Sequence, residues 1–259
     1  MAKEKQLAVV DEEVKDLSVF AVEEGEEEHL SQEELELPFL RVAQKGSPQV
    51  DEDKPEYIEG LKPGQYFNTV AGESYGDELK VQVHGYFHNY VIWKGDKGSG
   101  EFSGIMSPED FREFEAKHTL TRDGGDMVHT VDGEQFRYSD TRNFIVSLPE
   151  HPEDGIMIYP MSSTGIKAAK KWNTLHNGRR HEGKQTKRYA TIWEIKTAGY
   201  EKNGHSWKQT SQIKPLGWAT AELAEYGKSF ESFVKAIKDQ GVKYTADSTN
   251  NEAAEDSDF

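Results

Sequence analysis

The sequence predicts a mainly β, α+β protein: an OB-like antiparallel barrel with interspersed helices, set between two disordered acidic ends. Three observations carry that prediction. Residues 65–93 and 189–214 alternate apolar and polar side chains with a period of two, the pattern of antiparallel strands with one wet face. Residues 107–117, 162–175 and 218–241 change to helical spacing or open with helix-start signals. Residues 1–36 and 242–259 are rich in carboxylates and poor in aromatics, so they can bury too little apolar surface to fold.

Order is expected to begin at Leu37-Pro38-Phe39-Leu40. Residues 44–64 are dense in Gly, Pro, Asp and Ser and read as loop. A short strand follows in 65–70. In the strand after it, Leu79, Val81, Val83 and Phe87 fall on one face, and Lys80, Gln82, His84, Tyr86 and His88 on the other. Gly85 within it marks a bulge or bend of the kind small barrels need. Residues 95–100 form a flexible loop. Ser107-Pro108-Glu109-Asp110 opens a helix running to about Lys117, with a cap residue, Pro at the first position and acids in the first turn. Turns at 122–126 and 131–133 flank strand material. Buried strands at 142–148 and 155–161 enclose a loop. A helix at 162–175 is capped by Ser162 or Ser163, and the basic run 177–188 is a loop. Two strands, 189–200 and 206–214, surround a turn at 201–204. The last helix, 218–241, carries an apolar stripe of Leu223, Tyr226, Phe230, Phe233, Val234 and Ile237, with Gly241 as its C-cap. The implied divisions are an acidic segment 1–36, an OB-like domain 37–217, a helix 218–241 packed on the barrel, and a disordered acidic tail 242–259. No internal repeat is present.

The chain has 259 residues, 35% of them hydrophobic and 30% charged, and a net charge of −16. It has no cysteine, which excludes disulfides, thiolate metal sites and a cysteine nucleophile. The start has no apolar run of signal-peptide type, and no stretch is long enough to cross a bilayer. A cytoplasmic protein without a membrane partner is therefore expected. The distribution of charge is more informative than its sum. Residues 1–36 hold thirteen acids against three lysines, a net −10, and residues 247–259 hold five acids and no base. Within the near-neutral body, 167–214 carries twelve Lys and Arg against Glu182, Glu194 and Glu201, a net +9.

That basic stripe is interleaved with aromatics: Trp172, Tyr189, Trp193, Tyr200 and Trp207 stand among Lys167, Lys170, Lys171, Arg179, Arg180, Lys184, Lys187, Arg188 and Lys208. A single nucleic-acid strand offers phosphates to cations and unstacked bases to aromatic faces, so the mixture suits that ligand. The alternative is that each Trp faces the core and the lysines are merely solvated. The polar strand face with Lys80, Tyr86 and Tyr90 is a second stacking candidate, or an ordinary wet face. His84 and His88 share a face in this reading but have no third ligand at a recognised spacing, so no metal site and no cofactor are expected. No Walker loop, HExxH or GxSxG motif appears, so no catalytic set is nominated and the chain reads as a non-enzyme. The tail ends in Phe259 after Glu255, Asp256 and Asp258, a portable acidic-aromatic ligand for a basic, apolar pocket.

This combination resembles the single-stranded-DNA-binding proteins of T7-like and related phages. The stretches LPFLRVAQKGSPQV and PEYIEGLKPGQYFNTV also look like the opening of a family of phage proteins encoded beside replication genes. The resemblance implies a protein of DNA replication, recombination or repair that works in the host cytoplasm, coats single strands and recruits polymerase or primase-helicase through its tail, with a second copy of itself among its candidate partners. The acidic segment 1–36 departs from that pattern. A strand-annealing recombination protein and a metal-dependent nuclease are the alternatives.

Overall fold

The computed structural model describes residues 37–96, 100–202 and 204–240. The expectations for 1–36 and for the tail 242–259, with Gly241 and Phe259, lie outside these residues.

Strands β1 (Leu40–Val42), β2 (Tyr66–Asn68) and β3 (Ser74–Gly76) form a small antiparallel sheet. The large sheet is built from β4 (Glu78–Lys94), β5 (Glu101–Met106), β6 (Thr121–Asp123), β7 (Asp126–Val131), β8 (Glu134–Leu148), β9 (His151–Ser162), β12 (Thr191–Lys202) and β13 (His205–Trp218). Its order is β13-β12-β4-β8-β7-β6, with β5 on β4 and β9 on β8. The described residues also include a minimal hairpin, β10 (Arg180–His181) with β11 (Lys184–Gln185), and the α-helices α1 (Pro108–Lys117), α2 (Ile166–Asn177), α3 (Ala221–Ser229) and α4 (Glu231–Gln240). No described helix is long and apolar enough to cross a membrane.

The class is mainly β, α+β, as the alternation predicts. The expected barrel does not close: among the described residues no pairing joins β13 to β6. The reason is that the central strands bury both of their faces, whereas a small barrel has one interior. On one face Leu79, Val81, Phe144, Val146, Trp193 and Ile195 pack with Ala169 and Trp172 of α2 and with Leu40 and Tyr66 of the small sheet. On the other, Val91, Trp93, Ile145 and Ile158 pack with Val234 and Ile237 of α4.

A bulge lets β4 serve both cores. Its register against β8 shifts between Val83, opposite Val146, and Gly85, opposite Ile145, which leaves His84 as the extra residue. One extra residue inverts the phase of a strand. Leu79, Val81 and Val83 therefore share their core with Tyr86, while Phe87, Val91 and Trp93 join the opposite one. This corrects the placement of Phe87 beside Leu79. Glycine is required at the bend: a Cβ on Gly85 would lie 2.7 Å from Val234 Cγ1 and 2.9 Å from Ile145 Cδ1.

Helix α1 follows its sequence signals, with Ser107 Oγ accepting the Asp110 N–H at 3.1 Å. The expected serine cap of α2 is replaced by a 3-10 turn, Ser163–Gly165, and an N-cap at Gly165 without a side-chain bond. The single helix expected over 218–241 is two. Trp218 still belongs to β13, Thr220 caps α3, and the chain breaks at Phe230 before α4 begins. Of the loop expected at 149–154, residues 149–150 are a turn and 151–154 extend β9, with 152–154 outside its pairing to β8; the basic run contains the β10–β11 hairpin, where Glu182 (φ 50°) and Gly183 (φ 76°) make a tight turn.

Candidate nucleic-acid interface

Helix α2 buries Ala169, Trp172 and His176 and turns Lys167, Lys170, Lys171 and Thr174 to solvent. That i, i+3, i+4, i+7 spacing makes one exposed stripe. The chain then enters the hairpin, which exposes Arg180, His181 and Lys184. Among the described residues, none of Lys167, Lys170, Lys171, Arg179, Arg180, Lys184 or Arg188 has a carboxylate within 4.0 Å.

An aromatic stands beside these cations. Trp218 is 49% exposed. The Arg179 guanidinium lies over its ring, 4.1 Å from the centroid, and His181 approaches edge-on at 6.4 Å. Arg179 Nε donates to Thr191 Oγ1 at 3.3 Å, and Thr191 is the strand partner of Trp218. The indole is thus held on one face by a fixed cation. Arg188 is set deeper: its Nη2 donates to Asn173 Oδ1 at 3.0 Å, and its guanidinium lies 5.2 Å from the Tyr86 centroid. Burial pushes the Arg188 pKa below the usual guanidinium value, and burial, with the Arg188 charge beside it, pushes His176 down to about 4.

Other residues nominated by sequence lie elsewhere. Trp172 and Trp193 are core side chains at 1% and 0% exposure. Trp172 stacks on Phe144 at 4.4 Å and meets Trp193 edge-on, so neither indole is open to a base. Lys187 Nζ and the Tyr189 hydroxyl both donate to Glu231 Oε1 at 2.9 Å, which ties them to the start of α4. Lys80 pairs with Glu150 at 2.6 Å, with Glu78 and Glu194 nearby. Tyr90 stacks on Phe111 at 3.7 Å, and Tyr86 is half-buried against Phe144.

Trp207 and Lys208 form a separate patch. Trp207 is buried under the exposed Tyr200, whose ring lies parallel at 5.9 Å. The Lys208 N–H and carbonyl are both bonded to the Gln44 amide at 2.8 Å. Lys208 and Trp218 stand ten positions apart along β13, roughly 30 Å at the rise of a strand. The +9 stripe therefore folds into two patches, one at each end of the β12–β13 hairpin.

His84 and His88 do not share a face, because the bulge intervenes. His84 Nε2 bonds Ser147 Oγ at 2.7 Å and packs against Phe230, while His88 Nε2 meets Asp140 Oδ1 at 2.8 Å. Sequence reasoning missed Trp218 by assigning it to a helix. The signal available was the alternation Ile213, Pro215, Gly217 set against Lys214, Leu216, Trp218, which carries the strand beyond residue 214.

No curated protein and no solved structure matches this chain. A family model does match, that of the Pam3 phage gp34-like protein, over residues 5–242. That span takes in nearly the whole chain, which therefore belongs to the Pam3 phage gp34-like protein family.

Proposed function

We propose that this protein binds single-stranded DNA in phage replication or recombination, without sequence preference and without catalysing a reaction on it. The observation that carries the reading is the exposed Trp218 held by Arg179 beside cations that have no acidic partner among the described residues. A base can stack on the free side of the indole while phosphates meet Lys167, Lys170, Lys171, Arg180 and Lys184. The OB-like part of the reading is narrower: a bulged antiparallel sheet whose hairpins and loops flank a strand-binding surface, as in barrels of that kind. The acidic end with Glu255, Asp256, Asp258 and Phe259 would recruit a replication partner such as polymerase or primase-helicase.

Titrating oligo(dT) against tryptophan fluorescence tests this. Quenching is expected, and most of it should vanish in Trp218→Phe, because Trp172 and Trp193 are sealed in the core. Equal affinity for duplex and single strand in one buffer would sink the proposal. Rapid annealing of complementary strands, or cleavage of a labelled strand with Mg²⁺, would favour the annealing or nuclease alternative instead.

A further inference from the structure

We propose that Glu73, His151 and Asp154 form a site for a divalent first-row transition ion, with Zn²⁺ the best match. Their ligand atoms lie within 4.8 Å of one another. Tetrahedral zinc, with bonds of 2.0–2.2 Å, holds its donors about 3.4 Å apart. Glu73 is exposed, so rotation of its side chain closes the difference. One imidazole with two carboxylates selects zinc or manganese over the all-oxygen preference of Ca²⁺ and Mg²⁺.

The backbone brings these residues together through an irregularity. Leu148 pairs with His151 while its neighbour Ser147 pairs with Ile156, so residues 152–155 leave the ladder. Gly155, at φ 64°, returns the chain to it. The excursion carries Asp154 toward the small sheet, where Glu73 sits in the turn between β2 and β3.

Residues outside the cluster orient two of the three ligands. The Tyr75 hydroxyl donates to Asp154 Oδ2 at 2.6 Å, and its ring lies 4.9 Å from that of His151. Asn68 Nδ2 approaches Asp154 Oδ1 at 3.5 Å. That amide has one orientation, because Asn68 Oδ1 accepts the N–H groups of Val70 and Ala71 at 2.9 and 3.2 Å. Asn68 is 2% exposed. Such outer partners accompany ligating groups in metal sites and set their direction. Among the described residues no Lys or Arg lies within 4.0 Å of Glu73 or Asp154, and the nearest charged neighbour of His151 is Glu153 at 3.6 Å. The spot concentrates negative charge and lacks a cation.

A bound ion would clamp the small sheet to the β8–β9 arm, so stability reports it. The full chain, stripped with EDTA, is titrated with ZnCl₂, MnCl₂ and MgCl₂ by calorimetry and melted in each. One zinc per chain, a raised melting temperature and little response to Mg²⁺ are expected. Glu73→Gln and His151→Ala should each weaken zinc binding at least tenfold and abolish the thermal shift. Glu73 lies on an exposed turn, so Glu73→Gln should melt like the parent without metal. Tyr75→Phe should weaken zinc by about 10–100-fold through the loss of orientation alone. Zinc binding unchanged in both ligand variants, no zinc binding by the parent, or an equal response to Mg²⁺ would overturn the site.

Discussion

Trp218 and Gly85 show how much a single position decides in this molecule. Truncating Trp218 to Ala removes a half-exposed ring, so the melting temperature should hardly move. Its loss should still weaken oligo(dT) binding by about 1–3 kcal/mol, the range for one stacked base. Unchanged affinity in a folded Trp218→Ala variant would leave the indole a bystander. Gly85→Ala should act the other way, on the fold. The added methyl meets Val234 and Ile145 at under 3.0 Å, and overpacking of that kind costs about 1–3 kcal/mol. Chemical denaturation of Gly85→Ala checks this, and a parent-like midpoint would mean that α4 does not press on the bulge. At this scale the sequence was partly legible. It marked Gly85 as a break in a strand, because no other residue leaves such a gap in the pattern. It could not tell which tryptophans are core, because Trp172, Trp193 and Trp218 all stand beside lysines or apolar residues alike.

Elements were legible where periodicity or capping chemistry is local. Ser107-Pro108-Glu109-Asp110 fixes the start of α1, and Asp132-Gly133, at φ 51° and 84°, fixes the β7–β8 turn. Legibility failed where a tertiary contact decides. The phase of β4 beyond Gly85 follows from a bulge that only its pairing with β8 reveals. The break at Phe230 falls three residues after Gly227, in a stripe that otherwise keeps its helical spacing and has no Pro. The basic stripe likewise looked continuous, yet the β12–β13 hairpin parts it into two patches, and Glu231 takes up Lys187. The element-scale expectation follows from that division. Replacing Lys167, Lys170 and Lys171 of α2 together by Ala should lower the slope of log K against log[salt] by up to about 0.7 per lost contact. Lys187→Ala, already paired with an acid, should leave it nearly unchanged. A slope that responds equally to both would mean that the partnering of cations does not define the interface.

For the whole molecule, the mainly β class was readable from alternation, and the open sheet was not, because closure depends on whether one face or both find apolar cover. That two-sided burial has a consequence for acid stability. It encloses His84 between β4, Ser147 and the α3–α4 break, with Tyr226 and Phe230 against its ring, and His176 beneath Arg188. Burial pushes His84 down to about 4, opposed only weakly by the polar Gly227 backbone nearby, and His176 is also pushed to about 4. In the unfolded chain both return to about 6.5. Above pH 6.5 the rings are neutral in both states and contribute no pH dependence. As pH falls from 6.5 toward 4, the unfolded chain takes up protons that the folded chain refuses, so stability must fall. For His84 the full loss is of order 3 kcal/mol, at 1.36 kcal/mol per unit. Urea midpoints should therefore decline steadily from pH 6.5 to 4.5. His84→Gln keeps a partner for Ser147 and has no proton to gain, so its midpoint should decline less steeply over the same window. A flat parent profile, or a variant that loses stability as fast as the parent, would show that His84 is not buried in its neutral form.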